Sequence, residues 1–171
     1  MDGPTVVAAT SAAAIDPGFT ADVTLGESVV GGAIGAFVAT LVVAALLITV
    51  SPTYTEHTME AILDRPFGAF LYGFALLIAL VLAVFLLAVT GIGILLAIPL
   101  LVIAYVVWAV GAAIAYLAIA DRLVGHEEGW LKPVLVAAAV SGALAATGVG
   151  AILSFAIGAA GVGAVLGGWL D

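Results

Sequence analysis

The chain has 171 residues, of which 65% are hydrophobic and only 8% are charged, and its formal net charge is −8. Soluble domains average about 25% charged residues, so this composition excludes an ordinary soluble fold. Eleven acidic residues against three basic ones disfavour nucleic acid as a partner. The absence of cysteine excludes disulfides, thiol catalysis and Cys-ligated metals. The acid excess also suggests a halophilic source.

The first 27 residues contain four acidic residues and no basic one. Because this segment lacks the positively charged start of a signal peptide, we expect it to stay attached. The sequence Asp16-Pro17-Gly18 predicts turns or loose structure there in place of a helix. We therefore expect an extracytoplasmic tail at 1–27 and a single polytopic membrane domain at 28–171.

Five long apolar runs, with Lys132 near the start of the fourth as their one charged residue, make up most of the remaining chain. A run of about 18 or more apolar residues can cross a hydrocarbon layer roughly 30 Å thick as a helix. The sequence therefore predicts an all-α integral membrane protein with about five transmembrane helices. A four-crossing arrangement, with the last two runs as a re-entrant hairpin, would also keep the basic residues on one side and is an alternative. The runs cover residues 29–50, 66–89, 92–120, 131–147 and 149–170.

The basic residues predict the orientation of the chain. Arg65, Arg122 and Lys132 fall on one side of the membrane when the five runs are threaded back and forth. Lys and Arg in short loops are retained on the cytoplasmic side, while acids contribute little. We therefore expect a multi-pass protein of the cell membrane, with its N-terminus outside and Asp171 inside.

Residues 52–64 predict a short amphipathic helix at the cytoplasmic interface. Pro52 suits its first position, and its apolar residues recur at helical spacing opposite the polar ones. The spacing of His57, Glu60 and Asp64 is compatible with metal ligation. An ordinary solvated helix face explains these residues with nothing added and is the better interpretation, so neither a metal nor a cofactor is predicted. The side chains of this face that could meet a partner are Glu56, His57, Glu60 and Asp64.

A second polar segment, residues 121–133, joins the third and fourth runs on the same side. His126, Glu127 and Glu128 could assist a metal or a proton transfer. Without convergent ligands from elsewhere, a hydrated loop is the better interpretation. We predict that these three side chains extend the partner-binding face.

An internal repeat relates residues 88–98 to residues 145–155. Each copy has a Thr-Gly-x-Gly unit at the outer turn of a helical hairpin, where glycine permits a tight reversal and threonine can satisfy a freed carbonyl. The repeat predicts two hairpins, 66–121 and 131–170, that run in the same direction through the membrane. The predicted turn residues are Thr90, Gly91, Gly93, Thr147, Gly148 and Gly150.

Small residues recur every fourth position in several runs, a pattern that lets helices approach closely. We expect the second hairpin to pack most tightly, and we expect these positions to serve packing inside the chain. Homo-oligomer formation is the alternative. The predicted packing residues are Gly31, Gly35, Ser141, Gly163 and Gly167.

Three short segments carry a family resemblance. Residues 63–68 (LDRPFG), 90–93 (TGIG) and 159–164 (AAGVGA) resemble the membrane tail of bactofilin-like, polymer-forming proteins, including those of halophilic archaea. The similarity covers residues 51–170 and does not include the β-helix that forms the polymer. The resemblance implies a membrane-embedded anchor or scaffold module, with a cytoplasmic filament or envelope protein as its partner. It transfers no catalytic residue.

Two classes of function remain. A non-enzymatic anchor or scaffold of the cell envelope needs the lipid bilayer, packed helices and one polar face, all of which the sequence offers. A small channel or transporter subunit is the alternative, but Lys132, at the start of the fourth run, is the only Asp, Glu, Lys, Arg or His in the runs, and such residues usually mark a transport path. An enzyme is disfavoured, because neither histidine is paired with a nucleophile inside the runs.

Overall fold

A computed structural model describes residues 17–90, 93–127, 129–147 and 149–167, with side chains from Ser28 onward. This part of the chain is entirely helical and contains no strand, which confirms the predicted all-α class. The six helices are α1 (Pro17–Val50), α2 (Pro52–Asp64), α3 (Pro66–Val89), α4 (Gly93–Val124), α5 (Leu131–Ala145) and α6 (Gly150–Gly167).

Four of these helices are long and apolar enough to cross a membrane: residues 28–50 of α1, then α3, α4 and α6. Helix α5 has 15 residues. At 1.5 Å per residue it is about 22 Å long, short of a hydrocarbon layer of roughly 30 Å. The protein is therefore membrane-embedded by its helical character, with four helices of spanning length.

The prediction of loose structure before residue 28 is wrong for residues 17–27. Helix α1 begins at Pro17, and Gly18 and Gly26 both lie inside it. Proline suits a first helical position because its missing N–H has no intrahelical partner there. Once the apolar part of α1 is helical, each residue added at its start gains a backbone hydrogen bond without a new nucleation step. Residues 1–16 lie outside the described part of the chain.

Helix α4 is the centre of the bundle and contacts all five other helices. Residues 111–120, in its C-terminal half, are mostly buried, with Ile114 and Leu117 fully covered. Its N-terminal half, by contrast, exposes large apolar side chains such as Leu95 and Ile103, which suit a lipid environment. A helix that is buried all round needs small neighbours, and glycine and alanine supply them.

Helices α3 and α4 both pack on α6 through direct backbone contact. A Cβ built on Gly73 of α3 would overlap the carbonyl oxygen of Ala159 and lie 2.8 Å from the amide nitrogen of Gly163. A Cβ built on Gly111 of α4 would lie 2.6 Å from the amide nitrogen of Val162 in α6. No side chain larger than hydrogen fits at these two crossings, as expected for small-residue packing between membrane helices.

The expectation that the second hairpin packs most tightly is wrong. Helix α6 packs mainly on α3 and α4, whereas α5 packs mainly on α1, and α5 and α6 touch each other only sparingly. The reason is the shape of the helix surfaces. The glycine surface of α6 meets matching glycines on α3 and α4, while α5 places Gly142 against α1, where a Cβ would lie 3.0 Å from the carbonyl oxygen of Ala33.

The predicted packing glycines therefore have different surroundings. Gly163 lies at a helix contact, but with Ala69 and Gly73 of α3 and not within the second hairpin. A Cβ on Gly167 would make an ordinary contact, 3.8 Å from the Tyr72 ring. A Cβ on Gly31 or Gly35 of α1 would meet no atom of the described chain within 4 Å, so these two glycines do not pack inside it.

Replacing the glycines at the α3–α6 and α4–α6 crossings should separate these environments. Gly73→Ala and Gly161→Ala should each lower the free energy of unfolding in detergent by about 1–3 kcal/mol, because a methyl group forced into a filled contact pushes the backbones apart. Gly35→Ala is the matched control, since it gains the same helix propensity in open surroundings. Equal stabilities for all three variants, measured by chemical unfolding in the same micelle, would show that the crossings are not close-packed.

Candidate functional site

Helix α2 lies across one end of the bundle, in contact with α1, α3, α4 and α6. Its buried side is formed by Met59 and Ile62 together with two threonines, Thr55 and Thr58. The Thr55 hydroxyl donates to the Ser51 carbonyl oxygen at 3.0 Å. The Thr58 hydroxyl is satisfied in the same way one turn later. A threonine whose hydroxyl donates to a carbonyl oxygen of the preceding turn has no unsatisfied donor, so its side chain can be buried in the core.

The opposite side of α2 is exposed. It presents two glutamates, a histidine and an aspartate: Glu56, His57, Glu60 and Asp64. Within the described residues, no group of three His, Asp or Glu side chains is arranged to hold a metal ion. These side chains therefore form a hydrated, negatively charged face.

The same end of the bundle carries the α4–α5 connection. Arg122, near the end of α4, lines one cavity together with Ile62 of α2 and Pro66 of α3. Lys132 lines a small polar cleft with Glu127 in the connection itself. The three basic residues of the chain thus lie near one end of the molecule. We call the exposed polar surface of this end, formed by the α2 face with His126 and Glu127, the acidic end.

His126 has a fixed position in the acidic end. Its Nδ1 lies 2.6 Å from Oδ1 of Asp121. Its ring stacks on Trp130 with centroids 4.3 Å apart and planes 9° from parallel. Gly125 and Gly129, with φ angles of 65° and 111°, make the reversal that brings these groups together. Sequence reasoning missed the Asp121–His126 pair, although an acid five residues before a histidine across a glycine turn was a usable signal.

Glu127 is exposed beside this pair. Glu128, predicted in the same set, lies outside the described residues. The structure thus brings His126 next to Asp121 and Trp130 and places no described nucleophile beside it.

The two Thr-Gly-x-Gly units adopt matching turns. Thr90 donates from its hydroxyl to the Leu87 carbonyl oxygen at 2.7 Å, and Thr147 donates to Leu144 at 3.0 Å. Gly93 and Gly150 start the following helices. A Cβ on Gly93 would overlap the Leu87 carbonyl oxygen, and a Cβ on Gly150 would overlap the Leu144 carbonyl oxygen. Each threonine hydroxyl therefore adds a second hydrogen bond to a carbonyl oxygen that already accepts the backbone N–H of the same threonine. Gly91 and Gly148 lie outside the described residues.

Ser141 joins α5 to α1 through a buried hydrogen bond. The Thr40 hydroxyl donates to Ser141 Oγ at 2.9 Å, and Ser141 Oγ in turn lies 3.4 Å from the Ala36 carbonyl oxygen. Sequence reasoning treated Ser141 as a small packing residue and missed Thr40 as its partner. Beside this pair, a cavity of about 590 Å³ opens between α1, α4, α5 and α6.

Comparison with known proteins gives a family but no activity. A family model described as a domain of unknown function, DUF8173, matches residues 3–169. The chain belongs to this family. No curated protein and no solved structure matches it. The function must therefore be inferred from the residues of the chain itself.

A double-mutant cycle should measure the buried hydroxyl pair. Thr40→Val and Ser141→Ala should be coupled by about 0.6 kcal/mol, the average for hydrogen bonds between membrane helices, in the free energy of unfolding. Thr49→Val is the matched control, since the Thr49 hydroxyl bonds the Ala45 carbonyl oxygen of its own helix at 2.7 Å. A coupling to Ser141→Ala as large for Thr49→Val as for Thr40→Val would exclude a specific bond between the two helices.

Proposed function

We propose that the protein is a non-enzymatic membrane anchor or scaffold, which binds a partner through its acidic end. The observation that carries this proposal is the separation of polar and apolar parts. The spanning helices meet through glycine backbones, and their interior contains no charged side chain between residues 66 and 120. The described acidic side chains of the loops and of α2 are collected at one end, where a soluble partner can reach them.

The negative charge of the acidic end indicates what kind of partner surface would bind there. The exposed face of α2 repeats acids at Glu56, Glu60 and Asp64 along one side. A partner surface rich in Lys and Arg would be attracted to it, with an affinity that falls as salt screens the charges. The resemblance to bactofilin-like membrane tails favours a filament-forming or envelope protein as the source of that surface.

The location of the three basic residues supports a cytoplasmic position for the acidic end. Arg65, Arg122 and Lys132 all lie near it, and basic residues in short loops are retained in the cytoplasm. The proposed orientation places the protein in the cell membrane with its N-terminus outside. The partner is then a cytoplasmic protein.

Removing charge from the α2 face should release the partner. Replacement of Glu56 and Glu60 by Gln and Asp64 by Asn should abolish co-purification of a filament-forming protein from native membranes, because the attraction is lost while the buried side of α2 is untouched. The matched control carries the same charge change in the N-terminal segment: Asp2→Asn, Asp16→Asn and Asp22→Asn. Co-purification that survives the first triple variant, or that is lost equally in both, would contradict binding at the acidic end.

The channel alternative makes an opposite prediction. We expect purified protein in liposomes to show no flux of ions or small solutes above empty vesicles, since moving a charge through an apolar interior without paired groups is prohibitive. A stopped-flow or tracer assay over a series of solutes checks this. Saturable flux that disappears on replacing Thr90 or Thr147 by Val would support a channel and contradict the anchor.

A further inference from the structure

We propose that the cavity between α1 and α6 is an intramembrane binding site for a lipid-soluble molecule with a ring carbonyl, such as a quinone. This site is separate from the acidic end and does not depend on the function proposed above. Only binding is proposed, without transfer of electrons or groups.

The site arises from the order of the helices. In the described part of the chain, α1 packs on α2, α4 and α5, whereas α6 packs on α2, α3, α4 and α5, and no contact joins α1 to α6. The gap between them is lined by residues of α1, α4, α5 and α6 and is partly open to the surroundings of the bundle. Its volume of about 590 Å³ lies in the range of drug-sized ligand pockets, roughly 300–1,000 Å³.

The gap carries polar groups at an unusual depth. Thr40 lies near the middle of the apolar span Ser28–Val50, and Trp108 lies at the middle of α4. Both line the gap together with Ser141 and Ser154. At the centre of a bilayer the surrounding lipid is hydrocarbon and offers no hydrogen-bond partner. Polar groups there need a partner inside the protein or on a bound molecule.

Tyr116 is the side chain that points to a ligand. It is only 4% exposed, lines the gap, and makes no hydrogen bond to the described residues. Every fully buried side-chain nitrogen or oxygen in the described part of the chain has a partner. The Tyr116 hydroxyl oxygen is therefore not fully enclosed by protein, and because Tyr116 lines the gap, its proton is available to a molecule bound there. Hydrocarbon around the bundle offers this hydroxyl no acceptor, and a bound carbonyl would supply one.

The walls favour a flat ring. Trp108 packs against α6, where a Cβ on Gly158 would lie 2.6 Å from Cζ2 of the indole, so its ring position is fixed. The ring of Phe155 stands 5.6 Å from Trp108, tilted by 37°. Aromatic walls stack on planar groups. Phospholipids carry their carbonyls near the headgroups, whereas a quinone carries its carbonyls on the ring itself, so one molecule can place its ring against these aromatic walls and a carbonyl towards Tyr116.

The direct test uses Trp108 as the reporter. In a chain with Trp130→Phe and Trp169→Phe, Trp108 is the remaining tryptophan. Titration of decylubiquinone into this chain in nanodiscs should quench its fluorescence with saturation. Decylbenzene, of similar size but without oxygen, should not displace the quinone.

Two variants identify the site. Tyr116→Phe should weaken quinone binding about fivefold to tenfold, the effect expected for one lost hydrogen bond. Tyr72→Phe, the same change outside the gap, should leave it unchanged. Ala109→Leu, which fills the gap, should abolish saturation, and circular dichroism with gel filtration establishes that each variant is folded. Linear, unsaturable quenching, equal binding to Tyr116→Phe, or displacement by decylbenzene would overturn the proposal.

Discussion

Backbone contact at the glycine crossings is the constraint on which the rest of the structure depends. Apolar burial gives little force between helices that are already in lipid, so association rests on close packing. Gly73 against Gly163 and Gly111 against Gly161 let α3, α6 and α4 approach until their main chains touch. This contact draws α6 away from its sequence neighbour α5. As a result α6 joins the first hairpin, α5 joins α1, and the space between α1 and α6 stays open.

The position of α2 follows from the same arrangement. It connects α1 to α3 across the end of the bundle and rests on α4 and α6 through Met59 and Ile62. Its acids then face outward at the end where α4 passes into α5. The apolar interior cannot accommodate these charges, so the described charged side chains lie at the acidic end, while hydroxyl groups lie around the gap beside Thr40 and at the two Thr-Gly-x-Gly turns. The acidic end and the gap are the two places in the described chain where we propose that another molecule is recognised.

The sequence predicts the local features of each helix well, but it does not predict which helices pack against one another. The helical class and the four long apolar helices follow from run length, and the division of α2 into two faces follows from helical spacing. The start of α1 at Pro17 was missed because single proline and glycine residues do not stop a helix from extending once its apolar part has formed. The pairing of Gly163 with Gly73, and of Thr40 with Ser141, could not be predicted from small-residue spacing. That spacing marks a face without saying which helix meets it, and one hundred and one positions separate Thr40 from Ser141. The two buried threonines of α2 were missed because their hydroxyls are satisfied within the helix.

Magnetic resonance on glycine-labelled protein tests the glycine crossings most directly. In lipid bilayers, with 13C at the glycine Cα atoms, through-space correlations should connect Gly73 with Gly163 and Gly111 with Gly161, because these main chains are in contact. Gly31 and Gly35 should show no correlation to a glycine of another helix within the same chain. Diluting labelled protein into unlabelled protein removes correlations between chains, so that only those within one chain remain. Correlations of Gly163 to α5 in place of α3, or their absence at both crossings, would contradict the account.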